Sequence, residues 1–428
     1  MALTSNTDFD TMLNDYLTYD LLKEDMVKKD YLLSKVAKDD GWKNGPLIVP
    51  FMAAGASSFS MGSLTSESDV SEDKPVRGSI ANYKELTGTM VFNHKDLIQH
   101  DGKIKEKSFL KILPDVVDDF TNRMKSNASI MLLNGAHKAK VLEDAGTGGT
   151  GAGLVKVDRP ERFEIGEKIV ITDSTPNTGS FYIVAINIDT QVLTVSNTRG
   201  GSASDTAVSG DALTTMDLAQ TPKVYVPGAE TAANQFTSLR SQLLSLANGG
   251  STNLFGVAKT AYPYLQATQV DGSSINAANI LSKLFDGYTK CRKFGKGNPT
   301  DALMDYKNFG SIMKLVELSK GAYRVTAVPS TSVYGWTEVE IVGVKGSLKC
   351  VAIQEMDQDV IMFVDWRALK FHSNGFFRKQ ITPDGNQYHT VRATTGYKYL
   401  LDMFLFGDLV CSRPSYCGIV HSIPDYAA

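Results

Sequence analysis

Two glycine-containing segments carry residue types that bind phosphate groups in other proteins. The first, Gly146-Thr-Gly-Gly-Thr-Gly151, matches the G-x-G-x-x-G pattern of a dinucleotide-binding loop. In such a loop the glycines follow a strand and open a helix, because the helix N-terminus receives the pyrophosphate. Here a helical pattern precedes the glycines and a strand pattern, Leu154 to Val157, follows them. We therefore interpret this segment as a flexible linker and predict no bound cofactor.

The second segment, Phe294-Gly-Lys-Gly-Asn-Pro299, lacks the G-x-x-x-x-G-K-[ST] spacing that brings backbone amides, a lysine and a metal-binding hydroxyl together. We interpret it as a turn between a helix and a strand. The turn and the residues just before it carry a basic group that is available to a partner: Lys290, Arg292, Lys293 and Lys296. We predict that Lys293 and Lys296 contact a neighbouring subunit.

A third group consists of carboxylates around a short apolar run. Asp357, Asp359 and Asp365, with Glu355 nearby, contain the oxygen ligands that cations prefer. The residue order of an EF-hand loop is missing, however, and Val360 to Val364 has the pattern of a buried strand. We interpret these carboxylates as turn and strand-end residues, with a cation site as the alternative.

Neither the histidines nor the cysteines have the spacing of a reactive site. No two histidines lie four residues apart as in a zinc-binding helix, and no G-x-S-x-G nucleophile elbow occurs. The cysteines form no C-x-x-C pair, so we expect buried reduced thiols. We predict no catalytic residue, no metal site and no enzymatic activity. The residues in question are His94, His100, His137, His372, His389, His421, Cys291, Cys350, Cys411 and Cys417.

Length and charge limit the class of protein. A chain of 428 residues can bury two or three cores. Its 44 Lys and Arg against 47 Asp and Glu give a net charge of −3, which supplies no general attraction to nucleic acid or anionic lipid. No apolar run approaches the ~20 residues that span a bilayer, and the first residues lack the pattern of a signal peptide. We expect a protein that folds in the cytoplasm and does not contact membranes.

The elements that position these groups begin with a long helix, predicted from Lys107 to Gly135. Apolar residues recur at steps of three and four, which places them on one stripe of the helix. Ser108 is suited to cap its start and Gly135 to end it. Because Pro114 cannot donate a backbone hydrogen bond, we expect the ordered helix to begin near that residue.

The helical pattern is then interrupted. Val141 to Leu218 contains short β-branched runs separated by turn residues, which predicts a small antiparallel barrel or sandwich. Helical pattern resumes at Glu230. A β module is therefore predicted to be inserted into an α+β host.

Two segments before the long helix are predicted to need neighbouring surfaces. Residues 1 to about 40 have loosely spaced apolar positions, so we expect this arm to require a partner surface. Residues 52 to 99 are rich in small and charged residues and predict a long β-hairpin that projects from the body, with a simple disordered loop as the alternative. Its tip carries the charged cluster Glu67, Asp69, Glu72, Asp73, Lys74 and Arg77, which we predict to contact another subunit.

The rest of the chain mixes helices and strands. Helices are predicted for Glu230–Ala247, Ile275–Arg292 and Asp305–Leu318, and strands for 300–304, 338–344, 347–353, 360–364 and 390–406.

This succession of parts resembles the major capsid proteins of tailed bacteriophages, which have the Hong Kong 97-type fold. GPLIVPFMAAG with TGTMVF is similar to the base of that family's extension loop, and SFLKILPDVVDDFTNRMKSNASIMLLNG is similar to its spine helix. INAANILSKLFDGYTKCRKFGKGNPTDALMDYKNFGSIMKL is similar to the axial domain, and KCVAIQEMDQDVIMFVDWRALKFHSNGFFRK is similar to the closing strands. The resemblance covers roughly three quarters of the chain.

The resemblance implies a division of the chain and a function. The division is an N-terminal arm (1–45), an extension loop (46–100), the spine helix of the peripheral domain (101–137), an inserted β domain (138–222), and the remainder of the peripheral domain with the axial domain (223–428). The implied function is self-assembly through pentamers and hexamers into the icosahedral shell around a double-stranded DNA genome, which the wall contacts weakly and non-specifically. The implied partners are a separate scaffolding protein, a portal and decoration proteins, and the implied location is the virion, assembled in the host cytoplasm.

Two other classes remain as alternatives. One is a surface or tail-associated protein that binds carbohydrate through the inserted β domain. The other is a hydrolase whose active site is assembled from distant residues.

Overall fold

The computed structural model describes residues 31–42, 45–51, 76–93, 106–144, 153–172, 178–201, 222–318, 339–343, 346–373, 378–379, 389–393 and 396–425. Helices and strands are mixed, in agreement with the predicted α+β class. By its internal contacts the chain divides into two compact units, one of Met1–Ser129 with Leu239–Ala428 and one of Ile130–Ser238. In the described part of the chain, none of the helices is long and apolar enough to cross a membrane.

The first part of the chain ends in the long helix that the sequence predicts. That helix runs through Pro114, so the expectation that it begins near this residue is wrong; one lost backbone hydrogen bond does not end a helix whose apolar stripe continues on both sides. The elements are α1 (Tyr31–Lys35), β1 (Ala37–Asp39), β2 (Leu47–Phe51), β3 (Val76–Ile80), β4 (Lys84–Asn93) and α2 (Glu106–Leu133).

The second unit contains a closed barrel of six strands: β5 (His137–Asp144), β6 (Leu154–Val157), β7 (Lys168–Thr172), β8 (Thr178–Asn187), β9 (Val192–Ser196) and β10 (Lys223–Tyr225). The order around the barrel is β10-β5-β6-β9-β8-β7, and every neighbouring pair is antiparallel. Alternate side chains of the strands fill its interior, among them Val155, Ile169, Phe181 and Val195.

The barrel lies at the position of the predicted β module, but its ends differ from those expected. The first and last strands begin before Val141 and end after Leu218. The sequence does not reveal the first strand as β-branched, because Lys138 and Lys140 alternate with the buried Ala139 and Val141. His137 and Tyr225 are register partners, so the chain enters and leaves the barrel at neighbouring positions.

The chain after the barrel contributes three helices and twelve strands among the residues described. They are α3 (Leu239–Leu243), β11 (Asn253–Leu254), β12 (Val257–Ala258), β13 (Thr268–Asp271), α4 (Ile280–Lys290), β14 (Asp301–Met304), α5 (Tyr306–Leu318), β15 (Val339–Gly343), β16 (Gly346–Ala352), β17 (Ile361–Val364), β18 (Leu369–His372), β19 (Arg378–Lys379), β20 (His389–Ala393), β21 (Gly396–Cys411) and β22 (Gly418–His421).

Two predicted helices are shorter than expected because side chains compete for the backbone. In Glu230–Ala247 only α3 is an α-helix; Asn234 and Gln235 donate side-chain hydrogen bonds to the carbonyls of residues 228 and 229. In Ile275–Arg292 the helix begins only at Ile280, since Asn276 and Asn279 form local turns. Such local bonds give the backbone an alternative to helical pairing.

The long strand β21 organises the first sheet. One of its edges pairs with β4 over ten residue pairs, and the other pairs in succession with β20, β19 and β18. β1 completes the sheet beside β18 in parallel orientation. Helix α2 packs on β4 at Gly88, where a Cβ atom would lie 2.9 Å from the Phe120 ring and 3.0 Å from the Met124 sulfur.

A second sheet has the order β13-β22-β17-β14-β16-β15. β14, β17 and β22 are buried at every position, which is typical of strands covered on both faces. Helices α4 and α5 pack on one face through Ile280, Leu284 and Ile312. At Gly287 of α4 a Cβ atom would lie 2.6 Å from the Phe363 ring, so this glycine allows helix and sheet to approach closely.

The hairpin of β2 and β3 forms a separate two-stranded sheet. Its inner side chains, Val49, Phe51 and Ile80, are buried in a cluster with Trp42, Leu254, Leu265 and Val410. Residues 52–75, which join the two strands, lie outside the described residues.

The end of the predicted N-terminal arm contacts other parts of the same chain. Tyr31 Oη donates to Asp301 Oδ1 at 3.0 Å, and β1 pairs with β18. For residues 31–42, therefore, no partner subunit is needed to order the arm; residues 1–30 lie outside the described part.

We predict that replacing His137–Tyr225 by a four-residue Gly/Ser linker leaves the remaining chain folded, because the two cut points are adjacent. Circular dichroism and thermal unfolding measure this. As a matched control, deletion of Val141–Leu218 leaves parts of β5 and β10 without partners and is expected to cause aggregation. Loss of cooperative unfolding in the first variant would contradict the prediction.

Candidate functional site

The glycine segment 146–151 lies outside the described residues, but its neighbours exclude the arrangement of a dinucleotide site. β5 precedes it and β6 follows it, and these strands pair antiparallel within the barrel. The described residues that follow the segment therefore form a strand of the same sheet as β5 and not a helix. The sequence-based expectation that a helix directly precedes the glycines is wrong, because β5 was not recognised as a strand.

The carboxylates near β17 have internal partners. Arg240 Nη1 lies 3.0 Å from Asp357 Oδ2, and its two terminal nitrogens contact both oxygens of Asp359 at 2.9 and 2.7 Å. Burial by itself lowers the pKa of Arg240, but the two carboxylates outweigh it and raise that pKa. This arrangement joins α3 to the loop before β17 by charge-assisted hydrogen bonds.

Asp365 has a similar internal role. Its carboxylate accepts hydrogen bonds from the backbone N–H of Asn298 at 3.1 Å and from the side chain of Arg367 at 2.9 and 2.7 Å. Burial raises the pKa of Asp365, yet these hydrogen bonds and the Arg367 charge lower it overall. Among the described residues no group of three or more His, Cys, Asp or Glu is arranged to hold a metal ion.

Two buried lysines were not recognised in the sequence. The buried Lys138 Nζ lies 2.7 Å from Glu167 Oε1, and burial lowers the pKa of Lys138. Lys259 Nζ donates to the carbonyls of Ser241 and Leu244 at 2.7 and 2.8 Å, and burial lowers its pKa to about 8. Each amine contacts protein acceptors, so both lysines stabilise the fold.

The four cysteines are buried and unpaired by disulfides. Burial raises the pKa of Cys291 and of Cys350 to about 12. The hydrogen bond with the Cys417 thiol and burial raise the pKa of Cys411 as well. Since the thiolate is the reactive form, these groups have the properties of inert core residues.

The predicted basic turn follows α4 and carries exposed lysines. A π-helical turn, Cys291–Gly295, follows α4, and Lys296 then adopts a left-handed conformation with φ of 57°. Lys290, Lys293 and Lys296 are exposed. Phe294 is 68% exposed, and Lys293 Nζ lies 5.3 Å from the centre of its ring.

Two glycines hold this turn against the segment between β21 and β22. A Cβ atom at Gly295 would lie 1.8 Å from the Ser415 carbonyl oxygen, and one at Gly297 would lie 2.3 Å from that of Tyr416. The backbones can therefore approach only because neither residue has a side chain. The contact brings distant parts of the chain to the turn.

Two arginines join the turn through this packing. Arg413 stacks over the Tyr416 ring at 4.9 Å, and Arg367 reaches the turn through Asp365, which also binds Asn298. We call Lys290, Lys293, Lys296, Arg367 and Arg413, together with Phe294, the basic surface. The sequence analysis missed both arginines, since nothing in their local sequence indicates proximity to the turn.

The other predicted contact residues are on the hairpin. Arg77 is exposed on β3, opposite Pro50 of β2. Gly78 beside it packs closely, since a Cβ atom there would lie 2.6 Å from the Phe51 ring. Glu67, Asp69, Glu72, Asp73 and Lys74 lie outside the described residues.

We predict that Arg240→Leu lowers the free energy of unfolding by about 3–5 kcal/mol, because it leaves two largely buried carboxylates without their cation. Chemical denaturation measures the change. The matched control is Arg123→Ala, which removes an exposed ion pair with Asp119 on α2 and should cost less than about 1 kcal/mol. Equal effects of the two substitutions would contradict this assignment.

We also predict that Gly295→Ala destabilises the protein by about 1–3 kcal/mol, because the added methyl group requires the two backbones to separate. Gly310→Ala is the control, since no atom lies within 4 Å of a Cβ atom there. As Gly310 is inside α5, alanine should stabilise that helix by about 0.5–1 kcal/mol. Thermal unfolding of both variants tests the close approach.

Comparisons with known proteins give structural similarity without sequence similarity. No family model matches the sequence, and no curated protein matches it. The chain is similar to the cyanophage A-1(L) capsid asymmetric unit, at 9% identity over 92% of each chain with a TM-score of 0.45. It is similar to the capsid of the native GTA particle, at 10% identity over 92% of this chain and 90% of that chain with a TM-score of 0.42. It is also similar to the satellite phage P4 procapsid, at 9% identity over 96% of this chain and all of that chain with a TM-score of 0.38. The three structures named here are of capsids, and each TM-score is below 0.5.

Proposed function

We propose that this protein is the major capsid protein of a tailed bacteriophage and self-assembles into an icosahedral shell. Pentamers and hexamers of the chain form the wall, which encloses double-stranded DNA. The proposed fold is of the Hong Kong 97 type. The observation that carries the proposal is the order of parts within the larger unit: a two-stranded hairpin, a long helix and two mixed sheets.

Each part has a counterpart in that fold. In this proposal residues 31–42 end the N-terminal arm, β2 and β3 with residues 52–75 form the extension loop, and α2 is the spine helix. The sheet around β21 is the core of the peripheral domain. The six-stranded sheet with α4 and α5 is the axial domain, and the barrel is the inserted β domain.

The shapes of these parts suit a wall. The β2–β3 hairpin forms a two-stranded sheet of its own and carries a 24-residue connection between its strands. In this proposal the connection gains buried area when a neighbouring subunit covers it. Repeated contacts of this kind between identical chains build closed symmetric assemblies.

The internal pairing of the carboxylates and thiols also supports a structural role over an enzymatic one. Arg240, Lys138 and Lys259 contact protein acceptors, and the cysteines are core residues. These groups therefore act in folding.

The carbohydrate-binding alternative has less support. Sugar sites often use exposed aromatic faces, but Phe163 and Phe181 of the barrel are buried in its core. Tyr182 is partly exposed, and Lys168 Nζ lies 6.0 Å from the centre of its ring. Among the barrel residues that the structure describes, no observation favours a sugar ligand.

The charge of the chain is consistent with a wall that holds DNA loosely. At a net charge of −3 the chain as a whole does not attract phosphates, so contacts with packaged DNA are weak and non-specific. A separate scaffolding protein, a portal and decoration proteins complete the proposed assembly, which forms in the host cytoplasm and ends in the virion.

We predict that the purified protein forms rings and closed shells of megadalton mass. Sedimentation velocity and negative-stain electron microscopy at increasing concentration measure this, with and without co-expressed phage scaffolding protein. A chain that stays monomeric under both conditions would overturn the proposal, and specific retention of such a monomer on a glycan array would favour the carbohydrate-binding alternative.

A further inference from the structure

The basic surface combines positive charge with an accessible aromatic ring. Arg367 of this surface is paired with Asp365 at 2.7 Å, and Phe294 is 68% exposed. Three exposed lysines of the surface form no ion pair with another described residue: Lys290, Lys293 and Lys296. A partner that matches this surface is therefore anionic and also carries apolar side chains.

One segment near the start of the chain has this composition. Residues 8–25, DFDTMLNDYLTYDLLKED, contain six carboxylates and one lysine, which give the segment a charge of −5. Because the whole chain carries −3, the remaining residues together carry +2. The segment also contains apolar residues at steps of four, namely Phe9, Leu13, Leu17 and Leu21. We call residues 8–25 the acidic segment.

The chain that follows the acidic segment lies next to the basic surface. Tyr31, the first described residue, donates from Oη to Asp301 Oδ1 at 3.0 Å, and its ring meets that of Trp366 edge-on at a distance of 6.1 Å. Trp366 directly follows Asp365, whose carboxylate accepts from the backbone N–H of Asn298 at the end of the basic turn. The acidic segment is therefore attached beside the basic surface of its own chain.

The attachment is short. Only residues 26–30 separate the acidic segment from Tyr31, and this connection spans at most about 20 Å at ~3.3 Å per residue. A short covalent connection keeps a segment at an effective concentration on the order of millimolar near its binding site. At lower protein concentrations, the basic surface of the same chain is therefore favoured over that of a second copy.

We propose that the acidic segment binds the basic surface of the same chain. Its carboxylates contact Lys290, Lys293 and Lys296, and its apolar side chains cover the ring of Phe294. This contact closes the surface to other anions. The inference goes beyond the proposed function, because a contact within one chain forms whether or not the chain assembles into shells.

Two other occupants of the basic surface are distinguished by experiment. One is nucleic acid, since cations beside an exposed aromatic ring also bind single strands. The other is a neighbouring copy of the chain. The observations favour the acidic segment, because its attachment begins beside the surface and because the chain as a whole does not attract phosphates over a distance.

Charge reversal tests the contact in the full-length protein. A surface variant carries Lys290→Glu, Lys293→Glu and Lys296→Glu. A segment variant carries Asp10→Lys, Asp15→Lys and Asp20→Lys. Each variant opposes like charges across the contact, and cleavage by a protease follows the population of the undocked segment. We therefore expect chymotrypsin to cleave the acidic segment about tenfold faster in either variant than in the unaltered protein.

Mass spectrometry of the intact chain measures this cleavage, which chymotrypsin makes after Tyr16, Leu17 or Tyr19. Synthetic peptides with the unaltered and the reversed sequence of residues 8–25 correct for the change in intrinsic cleavage rate. Equal corrected rates in the unaltered protein and both variants would show that the segment is not docked, which overturns the proposal.

Combining the substitutions separates a contact within one chain from a contact between copies. A chain with all six substitutions again has opposite charges on segment and surface, so we expect the cleavage rate of the unaltered protein. In a micromolar mixture of the two variants, each attached segment still faces a surface of its own sign, so cleavage should remain fast. A mixture that is protected as well as the sixfold variant would assign the contact to a neighbouring copy and overturn the proposal.

A fluorescent oligonucleotide tests the nucleic-acid alternative. Neutralising the segment through Asp10→Asn, Asp15→Asn and Asp20→Asn should uncover the surface, so we expect oligonucleotide binding about tenfold tighter than in the unaltered protein, falling as salt rises. The matched control neutralises three exposed carboxylates elsewhere through Asp119→Asn, Glu161→Gln and Asp189→Asn, and should show a smaller gain. An unaltered protein that already binds as tightly, through the three lysines, would assign the surface to nucleic acid and overturn the proposal.

A control for the surface variant makes the same change in charge at exposed positions on α5, β18 and β7, through Lys314→Glu, Lys370→Glu and Lys168→Glu. Its acidic segment should be cleaved at the rate of the unaltered protein. Thermal unfolding of every variant checks that the body remains folded. Because the segment and neutralised variants leave the described residues unchanged, they test the contact even where the surface variant is destabilised.

Discussion

The backbone pairing of strand β21 is the constraint on which the body of this protein depends. Its sixteen residues, Gly396–Cys411, pair with β4 from the first quarter of the chain and with β18, β19 and β20 from the last. The side chain of Gln242 also binds this strand through two hydrogen bonds of 2.8 Å. It accepts one from the Cys411 N–H and donates the other to the Leu409 carbonyl. Because the partners are far apart in sequence, the N-terminal strand and the spine-like helix on it gain their stability only after the C-terminal strand is in place.

The barrel depends on pairing between strands that are close in sequence. Its six strands are contiguous in sequence, close on each other and leave no free edge, so its pairing requires nothing outside residues 137–225. The chain enters and leaves it at paired positions. A unit with these properties can be inserted into a host fold without interrupting the long-range pairing that the host needs.

Charge is arranged according to burial. Buried ionic groups, such as Arg240 with Asp357 and Asp359, are satisfied within the chain and join elements distant in sequence. The cations of the basic turn are instead exposed on a rigid backbone that two glycines press against residues 415 and 416. Groups of the first kind stabilise the fold of the chain, whereas groups of the second kind remain accessible at its surface.

Strong periodicity in the sequence predicted the long helix, although not its start at Glu106, together with the buried strands at 301–304 and 361–364 and the existence of a β-rich module. It also identified the basic turn, because Lys293 and Lys296 lie in a short glycine-containing segment whatever the fold. It misjudged Glu230–Ala247, where side-chain hydrogen bonds of Asn234 and Gln235 displaced the helix, and the first barrel strand, where lysines concealed the alternation. Only the tertiary structure decided that Asp357 and Asp359 bind Arg240 and that Arg413 joins the basic turn. Periodicity records which face of an element is buried, whereas such pairs depend on which elements meet, and that is decided by contacts between residues more than a hundred positions apart.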